Sequence, residues 1–197
     1  MRALSLFSGI GGLDIAAEMA GIEIVGQCEI DKHCQNVLRK HRPGIPLFDD
    51  ITQLTGDMVH AECGQIDIIF GGFPCQPFSL AGLRGGASDK RFLWPEIARL
   101  LREIEPQWFV GENVLGLLSI DTGRTFGAIL ASLAEMGRDA RWGVLRASDV
   151  KAPHQRERVF ITSSLANASC IPRRRTENVK GWGGCGGIRE KGASPDL

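Results

Sequence analysis

Cys75 stands between two prolines, in Gly71-Gly72-Phe73-Pro74-Cys75-Gln76-Pro77-Phe78-Ser79, directly after the apolar run 66–70. Pro74 and Pro77 fix their own φ and restrict Phe73 and Gln76. A buried structural cysteine has no use for so stiff a loop. A nucleophile does, because a thiolate already held at the attack position gives up little orientational freedom. At neutral pH such a thiolate needs a neighbour that lowers its pKa, and Arg156 and Arg158 are the candidates. The other cysteines (Cys28, Cys34, Cys63, Cys170, Cys185) form no CxxC pair and no His/Cys cluster at zinc spacing. They read as free thiols that pack as small hydrophobes, and no metal site is expected.

A second set of residues suits a nucleotide-like ligand. The run Phe7-Ser8-Gly9-Ile10-Gly11-Gly12 follows an apolar segment and precedes a helical one. Its glycines let the backbone turn tightly and approach a ligand closely. Glu29 lies where an acidic residue, roughly 20 positions on and at the end of the next strand, takes ribose hydroxyls. The turn reads GxGG rather than GxGxxG, which disfavours a nicotinamide or flavin. S-adenosylmethionine carries a ribose but no pyrophosphate and needs fewer phosphate-facing amides. Asp50, in Asp49-Asp50-Ile51, falls where a third strand should end and could accept from an adenine amino group.

These residues need a frame that brings them together. Residues 3–7 and 66–70 read as buried strands, and 23–29 and 108–111 as further strands. Helical spacing runs over 13–20, stopped by Gly21, over 96–103, and over 125–136, stopped by Gly137. Asp31 reads as a helix N-cap with Cys34, Val37 and Leu38 on one face. Residues 141–145 and 158–161 read as a closing pair of strands. Strands alternating with helices imply an α/β fold: a mainly parallel, Rossmann-like sheet with helices on both faces. In that architecture ligands bind at the carboxyl ends of the strands, where the Phe7–Gly12 turn, Glu29 and Cys75 all fall.

Composition fits one soluble domain. Of 197 residues, 43% are hydrophobic and 23% charged, which excludes a mostly disordered chain. Apolar runs fall short of a membrane span, and the apolar start is too short for a signal peptide, so a cytoplasmic protein without membrane partners is expected. A net charge of zero neither invites nor forbids nucleic acid, because a local patch can bind it. The catalytic unit is read as residues 1–165. Residues 166–197 change character: Arg173-Arg174-Arg175 and Gly181-Trp182-Gly183-Gly184-Cys185-Gly186-Gly187 cannot build a core. That stretch reads either as a disordered tail or as the beginning of a further domain.

Four blocks occur in order: Leu6-Phe7-Ser8-Gly9-Ile10-Gly11-Gly12, Gly72-Phe73-Pro74-Cys75-Gln76-Pro77-Phe78-Ser79, Gly111-Glu112-Asn113-Val114, and Gln155-Arg156-Glu157-Arg158-Val159-Phe160. Together they resemble the amino-terminal part of the DNA cytosine-5 methyltransferases. The resemblance implies methyl transfer from S-adenosylmethionine to carbon 5 of a cytosine flipped out of double-stranded DNA. Cys75 would attack carbon 6, turning the ring into an enamine that accepts the methyl group. A base would then remove the carbon-5 proton, and elimination would free the enzyme. Glu112 would contact ring nitrogen 3 and the exocyclic amine, and burial or hydrogen bonding should keep it able to do so near neutral pH. Arg156 and Arg158 would lie beside the base and the cysteine, and Asn113 would orient the cysteine loop. Gln76 and Ser79 belong to that loop. Phe7, Gly9, Gly11, Gly12, Glu29, Asp50, Ile51, Pro74 and Leu93 would line the cofactor pocket. Residues 79–91 would form a mobile lid. His154 departs from the family, which more often carries glutamine there.

The family usually continues into a variable target-recognition region and a closing helix against the cofactor pocket. No later block of that kind is found here, so a second chain supplying those segments is one expectation. The chain alone should then contact phosphates without sequence preference and methylate little. Two other readings stay open: an inactive cofactor-binding fragment, and an RNA cytosine-5 methyltransferase.

Overall fold

The computed structural model describes residues 1–74 and 92–165. Strand β1 (Arg2–Leu6) leads into helix α1 (Gly12–Met19), and β2 (Glu23–Cys28) into α2 (Lys32–His41). A short β3 (Leu47–Phe48) precedes α3 (Gly56–Cys63), and β4 (Ile68–Gly72) comes before α4 (Trp94–Ile104). Strand β5 (Trp108–Val114), two 3-10 turns and α5 (Arg124–Glu135) follow. Strands β6 (Arg138–Arg146) and β7 (Glu157–Leu165) close the described fold.

One sheet of seven described strands runs in the order β3-β2-β1-β4-β5-β7-β6. The first five are mutually parallel, and β7 enters antiparallel between β5 and β6. The strand order reverses between β1 and β4, the crevice where open α/β sheets bind ligands. The amino end of β7 lies at the same edge as the carboxyl ends of β1, β2, β4 and β5.

Strand alternation divides the core into two layers. Leu4, Leu6, Ile69, Phe109, Val159 and Ile161 point to one face and pack with residues of α3, α4 and α5. Ala3, Ile24, Ile68 and Phe70 point to the other and pack with Leu13 and Ala17 of α1. Helix α2 lies beside α1, because Arg42 at its end reaches Asp14 and Glu18. The Rossmann-like arrangement read from the sequence is therefore the one observed. No helix among the described residues is long and apolar enough to cross a membrane.

Several elements differ in extent from the sequence reading. Strand β4 begins at Ile68 rather than 66, since its ladder to β1 opens at Ala3↔Ile68. Strand β5 continues to Val114, so Glu112 and Asn113 lie inside it. Pairing with β7 extends it: Val114 faces Arg158. Helix α3 is short, carries Met58, Val59, Ala61 and Cys63, and has no counterpart among the elements read from the sequence. Thr55 caps it by accepting from the Met58 N–H at 3.3 Å, and Gly64 ends it.

Ile69, 0% exposed in the central strand, is the centre of the larger core layer. Ile69→Ala should lower unfolding stability by about 2–5 kcal/mol through lost burial and the cavity left behind. Urea denaturation followed by circular dichroism measures this.

Candidate active site

The Phe7–Gly12 turn is bent by residues in the left-handed region. Phe7 has φ 53°, Gly9 55° and Gly11 89°. Glycine meets that demand without strain, whereas Phe7 is held there by its surroundings. A Cβ added at Gly9 or Gly12 would meet nothing within 4 Å, so open space lies over the turn. Gly11 caps α1 and Gly12 begins it.

Glu29 joins the turn to the end of β2. Its Oε2 accepts from the Gly9 N–H at 2.7 Å and its Oε1 from the Asp31 N–H at 2.8 Å. Asp31 caps α2 through the Cys34 N–H at 2.8 Å. Asp50 is half-buried and accepts from the Thr52 N–H at 2.9 Å. Ile51, 4% exposed, packs in the larger core layer, and its carbonyl accepts from Arg99 at 3.0 Å. Two apolar side chains that sequence reasoning passed over, Ile10 (64% exposed) and Ile30 (68% exposed), stand on the turn and directly after Glu29. Exposed isoleucines at such positions suit a flat apolar ring. The available signal was their place inside a glycine turn and between two acidic residues.

The second half of the site lies on β4, β5 and β7. Glu112 faces Phe160 across the antiparallel ladder, which makes Arg158 its diagonal neighbour on the same face. Arg158 Nε lies 2.8 Å from Glu112 Oε1, and both side chains are about three-quarters buried. Gly72 leaves room for this pair: a Cβ there would lie 2.7 Å from Glu112 Oε2. On the opposite face Asn113, 3% exposed, donates from Nδ2 to the Phe73 carbonyl at 2.9 Å. Its Oδ1 accepts from the Val114 N–H at 2.9 Å. The chain leading to Pro74 is thus tied to β5.

Cys75, Gln76, Ser79 and the stretch 75–91 lie outside the described residues. Both flanks of that stretch are anchored. The Phe73 and Trp94 rings are 5.7 Å apart, Trp94 lies 5.8 Å from Phe109, and Trp94 Nε1 donates to Ser132 Oγ at 3.0 Å. Leu93 is half-buried and packs against the same core. Arg156 is exposed directly before β7 with φ 36°. Glu112 also borders an apolar groove between α1 and the sheet, lined by Leu13, Ala17, Ile68, Phe70, Val110 and Phe160.

The described cysteines are poor nucleophiles by comparison with what the loop requires. Burial, aided by the charges of Glu29, Asp50 and Asp49, pushes the Cys28 thiol up to about 12. Burial also raises Cys63. Among the described residues, no group of three His, Cys, Asp or Glu could hold a metal ion.

The sequence matches the family of C-5 cytosine-specific DNA methylases over residues 1–180. It is 38% identical over 162 residues to the Type II methyltransferase M.DsaV of Dactylococcopsis salina, covering 82% of this chain and 45% of that protein. It is 37% identical over 177 residues to the Type II methyltransferase M.AquIA of a Picosynechococcus species, covering 83% and 71%. The chain thus spans about half the length of the first of these relatives and more of the second. Among solved structures, a Spodoptera frugiperda DNMT2 variant superposes with a TM-score of 0.73 at 26% identity, covering 89% of this chain and 53% of that one. A putative DNA modification methyltransferase encoded within an Escherichia coli prophage gives 0.72 at 29% identity, covering 84% and 47%.

Because Asn113 faces a carbonyl oxygen, Asn113→Asp should destabilise the fold by about 1–3 kcal/mol near neutral pH. Its carboxyl would have a folded-state pKa raised above the ordinary value of about 3.9. The lost stability should therefore return as pH falls toward about 4, and the deficit should grow as pH rises through the raised pKa. Urea titrations of both proteins across that range test the sign.

Proposed function

The chain belongs to the family of C-5 cytosine-specific DNA methylases, and from that premise we propose that it transfers a methyl group from S-adenosylmethionine to carbon 5 of cytosine in DNA. The observation that carries this reading is the Glu112–Arg158 pair, seated over Gly72 and beside the Asn113-anchored approach to Cys75. A carboxyl group at that point can contact a cytosine on ring nitrogen 3 and its exocyclic amine. A guanidinium fork beside it suits the carbonyl oxygen or a phosphate.

The cofactor reading rests on the open turn at Gly9, the Glu29 carboxylate next to it, and the exposed Ile10 and Ile30. Phe7, Gly9, Gly11 and Gly12 would cradle the ligand. Glu29 would accept from the ribose hydroxyls and Asp50 from an adenine amine, with Ile51, Pro74 and Leu93 as apolar walls. When bound, S-adenosylmethionine supplies the methyl group.

In this reading the Cys75 thiolate adds to carbon 6 of a cytosine turned out of the duplex. Glu112, in its protonated form, would donate to ring nitrogen 3, which offsets the negative charge that addition places on the ring, and would take that proton back as the thiolate leaves. Carbon 5 becomes nucleophilic as an enamine carbon. After methylation, loss of the carbon-5 proton to a base regenerates the ring double bond and expels the thiolate. Arg158 holds Glu112 in place, and Arg156 with the basic residues Arg173, Arg174 and Arg175 contacts phosphates.

The same reading places on the groove between α1 and the sheet the segments that correspond to the remaining length of the longer relatives. An apolar sheet face beside the catalytic carboxylate would otherwise be open to water.

Two measurements test the proposal. Duplex DNA carrying 5-fluorocytosine should trap a covalent complex with the wild-type chain, cofactor and complementary polypeptide. Cys75→Ala should form none, and a variant that still formed it would remove Cys75 as the nucleophile. Calorimetric titration with S-adenosylmethionine should give an affinity at least about tenfold weaker for Glu29→Ala, the loss expected for charge-assisted bonds to a ligand. Equal affinities would take Glu29 out of the pocket.

A further inference from the structure

Beneath the Phe7–Gly12 turn lies a buried polar cluster that the reaction does not use. Eight polar or charged side chains are buried among the described residues, and four of them meet here: Ser5, Ser8, Asp14 and Gln27. Asp14, 0% exposed, is at the centre. Its Oδ1 accepts from Ser5 Oγ at 2.6 Å, and its Oδ2 accepts from Gln27 Nε2 at 2.5 Å and lies 3.8 Å from Arg42 Nε. Ser8 Oγ in turn donates to Ser5 Oγ at 2.9 Å. Gln35 Nε2 donates to the Glu29 carbonyl at 2.6 Å.

A fully buried carboxylate is costly, and apolar side chains of similar size commonly serve a core equally well. The placement of this one is informative. Ser8 sits between Phe7 and Gly9, both in the left-handed region, so its hydroxyl pins the turn at its most strained point. Gln27 belongs to β2, whose next-but-one residue is Glu29. The carboxylate of Asp14 therefore ties together the two chain segments that meet at the 2.7 Å contact between Gly9 and Glu29.

We propose that Asp14 is a positioning residue for the cofactor site, acting through Ser5 and Ser8 on the turn and through Gln27 on the strand that presents Glu29. This rests on the reading of the turn as the S-adenosylmethionine site. Asp14 itself touches no ligand. It sets the spacing between the Gly9 amide and the Glu29 carboxylate, and so the fit of the ribose.

The test compares wild type, Ser8→Ala, Asp14→Ala and Asp14→Asn. Affinity for S-adenosylmethionine is measured by calorimetry at a temperature where circular dichroism shows each protein fully folded, with urea midpoints determined separately. Ser8→Ala and Asp14→Ala should each weaken binding by about tenfold, the effect of one lost buried hydrogen bond transmitted to the site. Asp14→Asn keeps an acceptor for Ser5, and with the Gln27 amide turned over it keeps both contacts, so it should bind within about threefold of wild type. Lowered urea midpoints with unchanged affinities would overturn the proposal, because a purely structural role predicts that result. Ser8→Ala carries the test if Asp14→Ala does not fold. If wild type itself fails to bind, the cofactor reading falls and this inference with it, which separates that failure from equal binding by all four proteins.

Discussion

The site depends on one register. Strand β7 runs against β5 so that Glu112 faces Phe160 and Val114 faces Arg158. That alignment puts the glutamate and the arginine on one face, two residues apart along β7, where a 2.8 Å ion pair forms. A slip of one residue would send Arg158 to the opposite face and leave Glu112 partly buried without its counter-charge. The pair also needs Gly72 on the other side, because any side chain there would occupy the space of the carboxylate. Three strands distant in sequence thus agree on the position of one acid.

The two faces of the sheet do different work. The α3, α4 and α5 face is an apolar layer of fully buried leucines and isoleucines, with the Phe73, Trp94 and Phe109 rings packed tilted and edge-on against one another. Such a layer resists deformation because its packing leaves no room to move. It anchors the residues on either side of the stretch 75–91. The α1 side has a smaller apolar layer, and next to the turn it is held by hydrogen bonds among Ser5, Ser8, Asp14 and Gln27. Directional bonds suit a turn whose backbone must stay in an unfavourable conformation, as Phe7 does at φ 53°. An apolar contact would fill the volume without fixing the angle.

Arg99 shows how a single side chain joins these parts. It pairs with Glu96 and Glu103 on its own helix, and donates to the carbonyls of Ile51 and Leu54 at 3.0 and 2.8 Å. The segment after β3, which carries Asp50, is thereby fastened to α4. Glu103 also accepts from the Gly56 N–H at 2.7 Å, which seats the start of α3 on the same helix.

The sequence by itself determined what is local. The apolar runs of β1 and β4, the capped α2, the glycine turn, the stiff proline-flanked cysteine and the spacing from Gly9 to Glu29 are written in neighbouring residues. Steric limits and side-chain periodicity act over a few positions, so these could be read directly. Tertiary structure decided what depends on partners far along the chain. Strand β5 reaches Val114 only because β7 pairs with it, and α3 forms with little amphipathic signal because α4 and β2 receive it. The bond from Asn113 to Phe73, the union of Glu112 with Arg158, and the burial of Asp14 beneath the turn belong to the same class. Each is a contact between segments whose register no local pattern encodes, and it exists only once the sheet has set their alignment.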